Sequence, residues 1–399
     1  MTDRVGIGVL TRSFPPALVD EVVAGAGRTE QRSRLLPARL VVYYVIALAL
    51  FASDAYEEVM RRLVAGLRWT SRSRGAWQVP SSPAISKARA RLGPAVMKAL
   101  FDRVAVPVAQ AGTAGAFYRD WRLVAVDGST LDAPDESPNA ARFAKPSNDL
   151  GKGAFPQVRL VALAECGTHA IFGAAIDSIA VGEQDLLRRL LPKLGPGMLV
   201  IADRNFLGFR LWSQAAASGA DLLWRAKSDT RLPVVTELAD GSYLSYLVEP
   251  DTRGRGKRIG VRVIEYTLQA SESDHPHKAG EVYRLVTTIV DPDAAPAEDL
   301  AEAYAQRWEI ESVFDEIKTH QQDARPVLRS RDPDGVEQEI WGILLLHHAI
   351  RDLIHTTARD AGIDPDRISF IRALRAARRI DGAGLSPLPA TPRDPGSDH

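Results

Sequence analysis

The sequence predicts an all-α N-terminal domain over residues 1–118 and a mixed α/β domain over residues 119–380. In the first part, apolar residues recur with helical spacing. In the second, short apolar runs alternate with helical segments, which is the pattern of a mixed sheet. Strand-like runs separated by turn residues predict a β-rich insertion over about residues 228–291. The tail, residues 381–399, is rich in Pro, Gly and Asp and is predicted to be disordered.

Composition supports an ordinary globular protein. Of the 399 residues, 45% are hydrophobic and 25% are charged. A single cysteine, Cys166, excludes a disulfide framework or a zinc-finger cluster and fits a reducing cytoplasm. No signal peptide is evident at the N-terminus. The most apolar run, Leu40 to Ala52, is shorter than the roughly 20 residues of a membrane span, so it predicts a buried core helix and no membrane partner.

The N-terminal part is basic although the whole chain has a net charge of zero. Residues 1–118 contain 16 Lys and Arg against 8 Asp and Glu, so the remainder is net acidic. A DNA-binding module joined to a carboxylate site has this asymmetry, and so does a chance distribution. The helix predicted after Ser81 places Lys87, Arg89 and Arg91 near one another. It resembles the second helix of a helix-turn-helix, and a solvated basic helix face is the alternative.

Two aspartates follow apolar strands of the α/β domain. Asp127 comes after the run RLVAV, and Asp203 comes after the run MLVIA. Ligands of open α/β sheets bind outside the carboxyl ends of the strands, so these two carboxylates are candidates for one site. Either aspartate alone is weak evidence, because Asp is also common at turns and helix caps.

A long helix predicted over about residues 297–321 carries the third candidate carboxylate. At about 100° per residue, one polar stripe about 80° wide holds five side chains, namely Tyr304, Arg307, Glu311, Asp315 and Lys318. Arg and Lys suit phosphate oxygens, and a carboxylate suits a hard divalent cation. A solvent-facing stripe with helical ion pairs is the alternative.

Together, Asp127, Asp203 and Glu311 predict a site for two-metal phosphoryl transfer. Two Mg²⁺ ions about 3.5–4 Å apart, with Mn²⁺ as a substitute, can activate a nucleophile and stabilise the leaving oxygen. No Gly-rich phosphate loop occurs in a strand–helix context, which argues against nucleotide hydrolysis.

The chain resembles the DDE transposases of the insertion-element-four family, whose catalytic core is a ribonuclease-H-like mixed sheet with an inserted β domain. The family signature Y-x2-R-x3-E-x6-K is matched by Tyr304, Arg307, Glu311 and Lys318. The segments VAVDGST and IADRNF resemble the family's first and second aspartate motifs. The similarity extends over nearly the whole chain, from about Val9 to Arg379.

The resemblance implies cut-and-paste transposition at terminal inverted repeats in double-stranded DNA. Asp127, Asp203 and Glu311 would be the catalytic metal ligands. The freed 3′-hydroxyl would attack target DNA, and a homodimer on paired ends would be the working form. The enzyme would act in the bacterial cytoplasm, at the nucleoid.

The resemblance also implies DNA contacts. Arg307, Lys318 and Tyr304 would hold phosphates near the cut. Some family members form a hairpin at the excised end and stack a flipped base on aromatic side chains, a contact that contributes about 1–3 kcal/mol per base. Trp308 and Tyr283 are the candidates by position, and packing in the core is the alternative for both.

Three other functions remain open at the level of sequence. One is a junction-resolving nuclease on the same core, and another is a non-catalytic DNA-binding protein derived from a transposon. A glycosidase with paired carboxylates is a more distant alternative, because that chemistry does not explain Arg307 and Lys318.

Overall fold

The computed structural model describes residues 10–30, 32, 34–67, 78–148, 151–250, 256–267, 282–322 and 327–378. By compactness the chain divides into a helical unit (Met1–Ala114, Asp132–Arg142, Asp315–His399) and an α/β unit (Gly115–Leu131, Phe143–Phe314). These units group the C-terminal helices with the N-terminal ones, whereas the domain boundaries drawn from the sequence place them in the α/β domain and remain a prediction. The predicted disordered tail, residues 381–399, lies outside the described residues.

The regular elements are numbered here in chain order. The helices are α1 Pro16–Gly25, α2 Ala38–Leu50, α3 Tyr56–Leu67, α4 Ser82–Leu92, α5 Pro94–Val104, α6 Ser137–Phe143, α7 Glu183–Leu190, α8 Phe209–Ala216, α9 Ala297–Ala305, α10 Glu309–Asp315, α11 Pro333–Ala361 and α12 Phe370–Arg378. The strands are β1 Phe117–Tyr118, β2 Trp121–Asp132, β3 Ser147–Asn148, β4 Gly151–Lys152, β5 Gln157–Glu165, β6 Ile171–Ser178, β7 Met198–Ala202, β8 Asp221–Arg225, β9 Thr236–Glu237, β10 Tyr243–Val248, β11 Arg258–Thr267 and β12 Val282–Thr287.

Helix α2 is the centre of the helical unit. It begins directly after Pro37, and every residue except Arg39 is buried. A helix that is apolar all round can be stable only inside a core, which explains this burial. Among the described residues, no helix is long and apolar enough to cross a membrane.

Helix α11 packs closely on α2 in the same unit. A Cβ added to Gly342 would lie 2.8 Å from the carbonyl oxygen of Val45, so the absence of a side chain permits this approach. A buried ionic group also joins α11 to the turn before it. Oε2 of Glu316 lies 3.0 Å from Nε2 of His347 and 3.0 Å from Nε of Arg351. The pairing matters because an unpaired buried charge is costly.

The α/β unit contains a ten-stranded sheet in the order β6-β5-β2-β7-β8-β12-β11-β10-β9, with β1 paired to β2. Strands β2, β7 and β8 are parallel neighbours, whereas β5–β6 and the series from β8 through β12 to β9 are antiparallel. The predicted mixed α/β sheet is therefore confirmed. Strands β9–β12 of the predicted insertion extend this same sheet, because β12 pairs with β8.

One face of the sheet is covered by α7 and α8. Leu186, Leu187 and Leu190 of α7 are buried in the hydrophobic cluster that includes strands β2 and β7. Two tryptophans lie in the same cluster with their rings edge to face. The centroids of Trp212 and Trp224 are 5.2 Å apart and their planes differ by 88°. This packing holds α7 and α8 on the parallel strands that carry the two candidate aspartates.

Three predicted elements differ from the structure. The strand expected to stop before Asp127 continues as β2 to Asp132. The strand expected over Pro233–Leu238 is reduced to the two paired residues of β9. The helix expected as one α-helix over residues 297–321 includes a 3₁₀ turn at Gln306–Trp308 and a π-helical turn at Glu316–Gln321. These turns change the angle between residues, so the predicted single polar stripe is wrong as a description of the whole segment.

Candidate active site

Two aspartates are placed side by side by the register of the parallel strands. Strands β2 and β7 pair in parallel up to Val126 opposite Ala202, so the next residues are Asp127, within β2, and Asp203, directly after β7. Neighbouring strands are about 4.8 Å apart. The structure thus brings together the two carboxylates that the sequence placed at strand ends, although β2 itself runs further.

Arg307 connects this pair to the third carboxylate. Its Nη1 lies 3.6 Å from Oδ2 of Asp127, and its Nη2 lies 3.5 Å from Oε1 of Glu311. The residue is only 6% exposed, and its guanidinium lies 4.3 Å from the ring centroid of Trp308. Because the guanidinium is flat and forked, one buried side chain can bind both carboxylates at once.

The helix that carries Glu311 is fixed at its first residue. Glu309 accepts a hydrogen bond from the backbone N–H of Gly167 and lies 3.5 Å from Nε2 of His169. Both partners belong to the turn between β5 and β6. Helix α10 is therefore tied to the sheet two residues before Glu311, and the position of that carboxylate follows from the fold.

The surroundings of Asp127 raise the pKa of its carboxyl group. Burial is the largest cause that raises its pKa from 3.8 to about 6. The N–H of Gly128, 2.7 Å from Oδ1, and the charge of Arg307 lower the pKa, while Asp203 and Glu183 raise it again. The surroundings of Asp127 therefore disfavour its ionised form. A cation bound beside it would stabilise that form.

The donor set fits a hard divalent cation. All three side chains offer carboxylate oxygens, which are the ligands that Mg²⁺ and Mn²⁺ prefer. Among the described residues, Asp127, Asp203 and Glu311 do not bring one oxygen each within 4.8 Å of one another. The guanidinium of Arg307 lies between the first and the last of them. The side chains must therefore rotate inward to share an ion.

Two predicted DNA contacts are placed in the interior. Tyr304 is 2% exposed, and its hydroxyl lies 3.5 Å from the carbonyl oxygen of Ala202, directly before Asp203. Burial raises the pKa of Tyr304 well above its usual value. Tyr283 is also 2% exposed, with the guanidinium of Arg225 3.8 Å from its ring centroid. In this structure both rings are packing residues, so neither is open to a phosphate or a base. Tyr304 supports the end of β7.

The basic residues predicted on the N-terminal helix separate into two groups. Lys87 and Arg91 of α4 are exposed, whereas Arg89 is 4% exposed. Arg89 donates to the side chain of Gln338 at 3.1 Å and to the carbonyl of Gly335 at 2.9 Å. Alternate residues of a helix point to different sides, so the prediction that all three share a DNA-facing surface is wrong for Arg89. Lys318, on the π-helical turn, is exposed.

Sequence reasoning missed two features of this neighbourhood. One is Glu183, whose carboxylate lies against Gly128. The other is an aromatic pair, Tyr266 and Tyr283, with ring centroids 5.4 Å apart. Glu183 stood in the sequence only as the first residue of a predicted helix, and the aromatic pair depends on the register of β11 with β12. No sequence motif indicates either feature.

A mixed sheet that places two aspartates side by side, with a helical glutamate linked to the first through one arginine, is an arrangement that suits metal-dependent phosphoryl transfer. Comparison with known families agrees with this class. Residues 119–348 match the transposase DDE domain, and residues 4–102 match the N-terminal domain of the insertion element 4 transposases. The chain belongs to the DDE transposases of the insertion element 4 family, so its core is ribonuclease-H-like and it uses divalent metal to act on DNA.

A relative similar in sequence is consistent with that assignment. The transposase InsG for insertion sequence element IS4 of Escherichia coli (strain K12) is 26% identical over 387 residues, which cover 95% of this chain and 85% of InsG. Among solved structures, the cryo-EM synaptic complex of the piggyBac transposase with hairpin DNA is 10% identical. It has a TM-score of 0.47, with coverage of 94% of this chain and 79% of that one.

Proposed function

We propose that this enzyme catalyses cut-and-paste transposition of an insertion sequence. It hydrolyses a phosphodiester at each terminal inverted repeat, and the freed 3′-hydroxyl then attacks target DNA. The observation that carries this proposal is the bridge from Asp127 through Arg307 to Glu311, beside the point where the pairing of β2 with β7 ends. In-line displacement at a phosphorus requires concentrated negative ligands and a nearby fixed positive charge.

Asp127, Asp203 and Glu311 are the proposed ligands of two Mg²⁺ ions, for which Mn²⁺ can substitute. When bound, such ions lower the pKa of a nucleophilic oxygen and neutralise charge on the leaving oxygen. The protein holds the three carboxylates in register and keeps other groups from binding to them. Tyr304 contributes by supporting the residue before Asp203, since its hydroxyl faces the carbonyl oxygen of Ala202.

Arg307 is the proposed positioning residue of the site. From one buried position it contacts both Asp127 and Glu311, and so keeps the two carboxylates close to the guanidinium. Trp308 beneath it restricts the guanidinium further. Lys318, Lys87 and Arg91 are the proposed phosphate contacts, because each is an exposed cation. Trp308 remains the candidate for base stacking, since its ring is half-buried.

The proposed partners are double-stranded DNA that carries the terminal inverted repeats and a second copy of the same chain. Two ends must be cut and joined together, which a homodimer on paired ends would achieve. The proposed setting is the bacterial cytoplasm, at the nucleoid, where the DNA substrate lies.

The test is excision from a plasmid that carries the gene's own flanking DNA. Purified protein is incubated with Mg²⁺, beside the variants Asp127→Asn, Asp203→Asn and Glu311→Gln. The matched control is Asp185→Asn, which removes an exposed carboxylate that pairs with Arg188 on α7. The proposal expects wild type and control to release a linear fragment cut at both flanks, and expects each of the other variants to lose the product.

Two results would overturn the proposal. Cleavage at branched junctions irrespective of the flanks, with no strand-transfer product, identifies a junction-resolving nuclease. Binding of the flanks without cleavage by wild type, under conditions where Mn²⁺ binding is measurable, identifies a non-catalytic DNA-binding protein.

A further inference from the structure

Glu183 lies directly against the backbone that follows the first aspartate. A Cβ built on Gly128 would be 2.4 Å from Oε1 of Glu183 and 2.7 Å from its Cδ. Real Cβ atoms do not approach other atoms so closely, so a side chain at position 128 would displace this carboxylate. The glycine after Asp127 thus leaves room for the carboxylate of Glu183 beside the first metal ligand.

The start of α7 also contacts the segment after the second aspartate. Nε2 of Gln184, the next residue, donates to the carbonyl oxygen of Asn205 at 2.8 Å. Two consecutive residues of one helix therefore contact the segments that follow Asp127 and Asp203. Because the leucines of α7 are buried in the core, this helix start cannot move away without disrupting the packing.

Glu183 differs from the other acidic residue in the same helical turn. Asp185 is exposed and forms an ion pair with Arg188. In the described part of the chain, by contrast, the carboxylate of Glu183 has neither an ion-pair nor a hydrogen-bond partner, and it is half-buried. An acidic residue in the first turn is favoured by the helix dipole. The helix dipole favours Asp185 equally. It therefore does not explain why the carboxylate of Glu183 packs against Gly128.

Glu183 and Asp127 carry like charges, which repel one another in a partly buried site. A divalent cation held among them removes the repulsion, and oxygen ligands in excess of three are usual for such ions. We propose that Glu183 is a fourth carboxylate of the metal site, binding the cation beside Asp127 either directly or through one of its waters. The inference rests on the proposed metal site and adds a residue that the Asp/Asp/Glu motif does not contain.

The test is Mn²⁺ binding by the full chain without DNA, measured by isothermal titration calorimetry. Wild type is compared with Glu183→Gln, with Asp185→Asn as the matched loss of one charge from the same helical turn, and with Asp127→Asn. The proposal expects Glu183→Gln to raise the dissociation constant about tenfold, in the range seen when groups that support metal ligands are removed. Asp185→Asn should stay within about twofold of wild type, since a surface charge has little effect.

Thermal unfolding with and without Mn²⁺ separates this role from a structural one. Relief of repulsion should leave metal-free Glu183→Gln at least as stable as wild type, while the rise in Tm on adding Mn²⁺ should be smaller. A lower metal-free Tm with an unchanged rise would overturn the proposal, because Glu183 would then act only on the helix. Unchanged Mn²⁺ affinity in Glu183→Gln, together with its loss in Asp127→Asn, would also overturn it and leave the proposed function intact. Unchanged affinity in both variants would refute the metal site itself.

Discussion

Replacing Asp127 by Asn should stabilise the metal-free protein near neutral pH. In the folded protein, burial raises the pKa of this carboxyl from 3.8 to about 6. Folded Asp127 therefore keeps its proton over a range of pH in which the unfolded chain has already lost it. The stability that this proton contributes is complete below about pH 4 and is lost as the pH rises through about 6.

The size of the effect follows from the same two values. A pKa difference between 3.8 and about 6 corresponds to roughly 3 kcal/mol at 1.36 kcal/mol per pH unit. The side chain keeps 25% of its surface exposed to water, which weakens the penalty. We therefore expect Asp127→Asn to raise the free energy of unfolding at pH 7 by about 1–3 kcal/mol.

The assay is urea unfolding in EDTA at pH 4, 5, 6 and 7, with wild type and Asp127→Asn compared at each pH. The difference should be small at pH 4 and grow through pH 6, whereas cleavage in Mg²⁺ should be lost. Asp185→Asn provides the control, because it removes an exposed carboxylate that lies outside the proposed metal site. If Asp127→Asn proves no more stable than wild type at pH 7, the account of a strained, buried carboxylate is wrong.

Three further changes address other contacts. Arg307→Lys cannot bridge two carboxylates, so we expect cleavage to fall about 10- to 100-fold, measured as single-turnover rates on flank DNA. Gly342→Ala places a methyl group 2.8 Å from the carbonyl oxygen of Val45. We expect it to lower the free energy of unfolding, measured in urea, by about 1–3 kcal/mol. Glu316→Ala leaves Arg351 in the interior without its carboxylate partner, and should cost about 3–5 kcal/mol by the same measurement.

Matched controls make these results interpretable. Arg210→Lys alters an exposed arginine on α8 and should leave the cleavage rate unchanged. Gly195→Ala adds a methyl group with nothing within 4 Å and should leave stability within about 0.5 kcal/mol. If Arg307→Lys cleaves DNA as fast as Arg210→Lys, Arg307 does not act by bridging the two carboxylates. If Gly342→Ala is as stable as Gly195→Ala, then α2 and α11 can move apart without lowering the free energy of unfolding.

The parts of the fold that could be predicted were those with an unambiguous local pattern. Strand β7 was predicted with its observed bounds because MLVIA is a short apolar run between turn residues. The buried helix predicted from the apolar run Leu40 to Ala52 was equally clear, and it is observed over Ala38–Leu50. Periodicity does not specify which side of a helix packs, and this is why Arg89 and Tyr304 were expected at a surface and are buried.

The sequence indicated the three candidate carboxylates and Arg307, but it did not indicate Glu183. Asp127 and Asp203 were recognisable because each follows an apolar strand, and Glu311 because its neighbours match a signature. Glu183 lies far from Asp127 along the chain, and its proximity depends on how α7 returns to the sheet after β6. Such a contact arises from topology, which single-sequence patterns do not encode.

The register between β2 and β7 makes the site sensitive to changes in chain length within two short strands. Deleting one residue from the paired segment Arg122–Val126, or from β7, would shift one aspartate by about 3.3 Å and turn its side chain to the opposite face of the sheet. Insertions in the loops between Gly128 and Met198 alter neither strand. Small frame-preserving deletions in these two strands should therefore abolish transposition, whereas changes in the length of the loops that join them should leave the two aspartates paired.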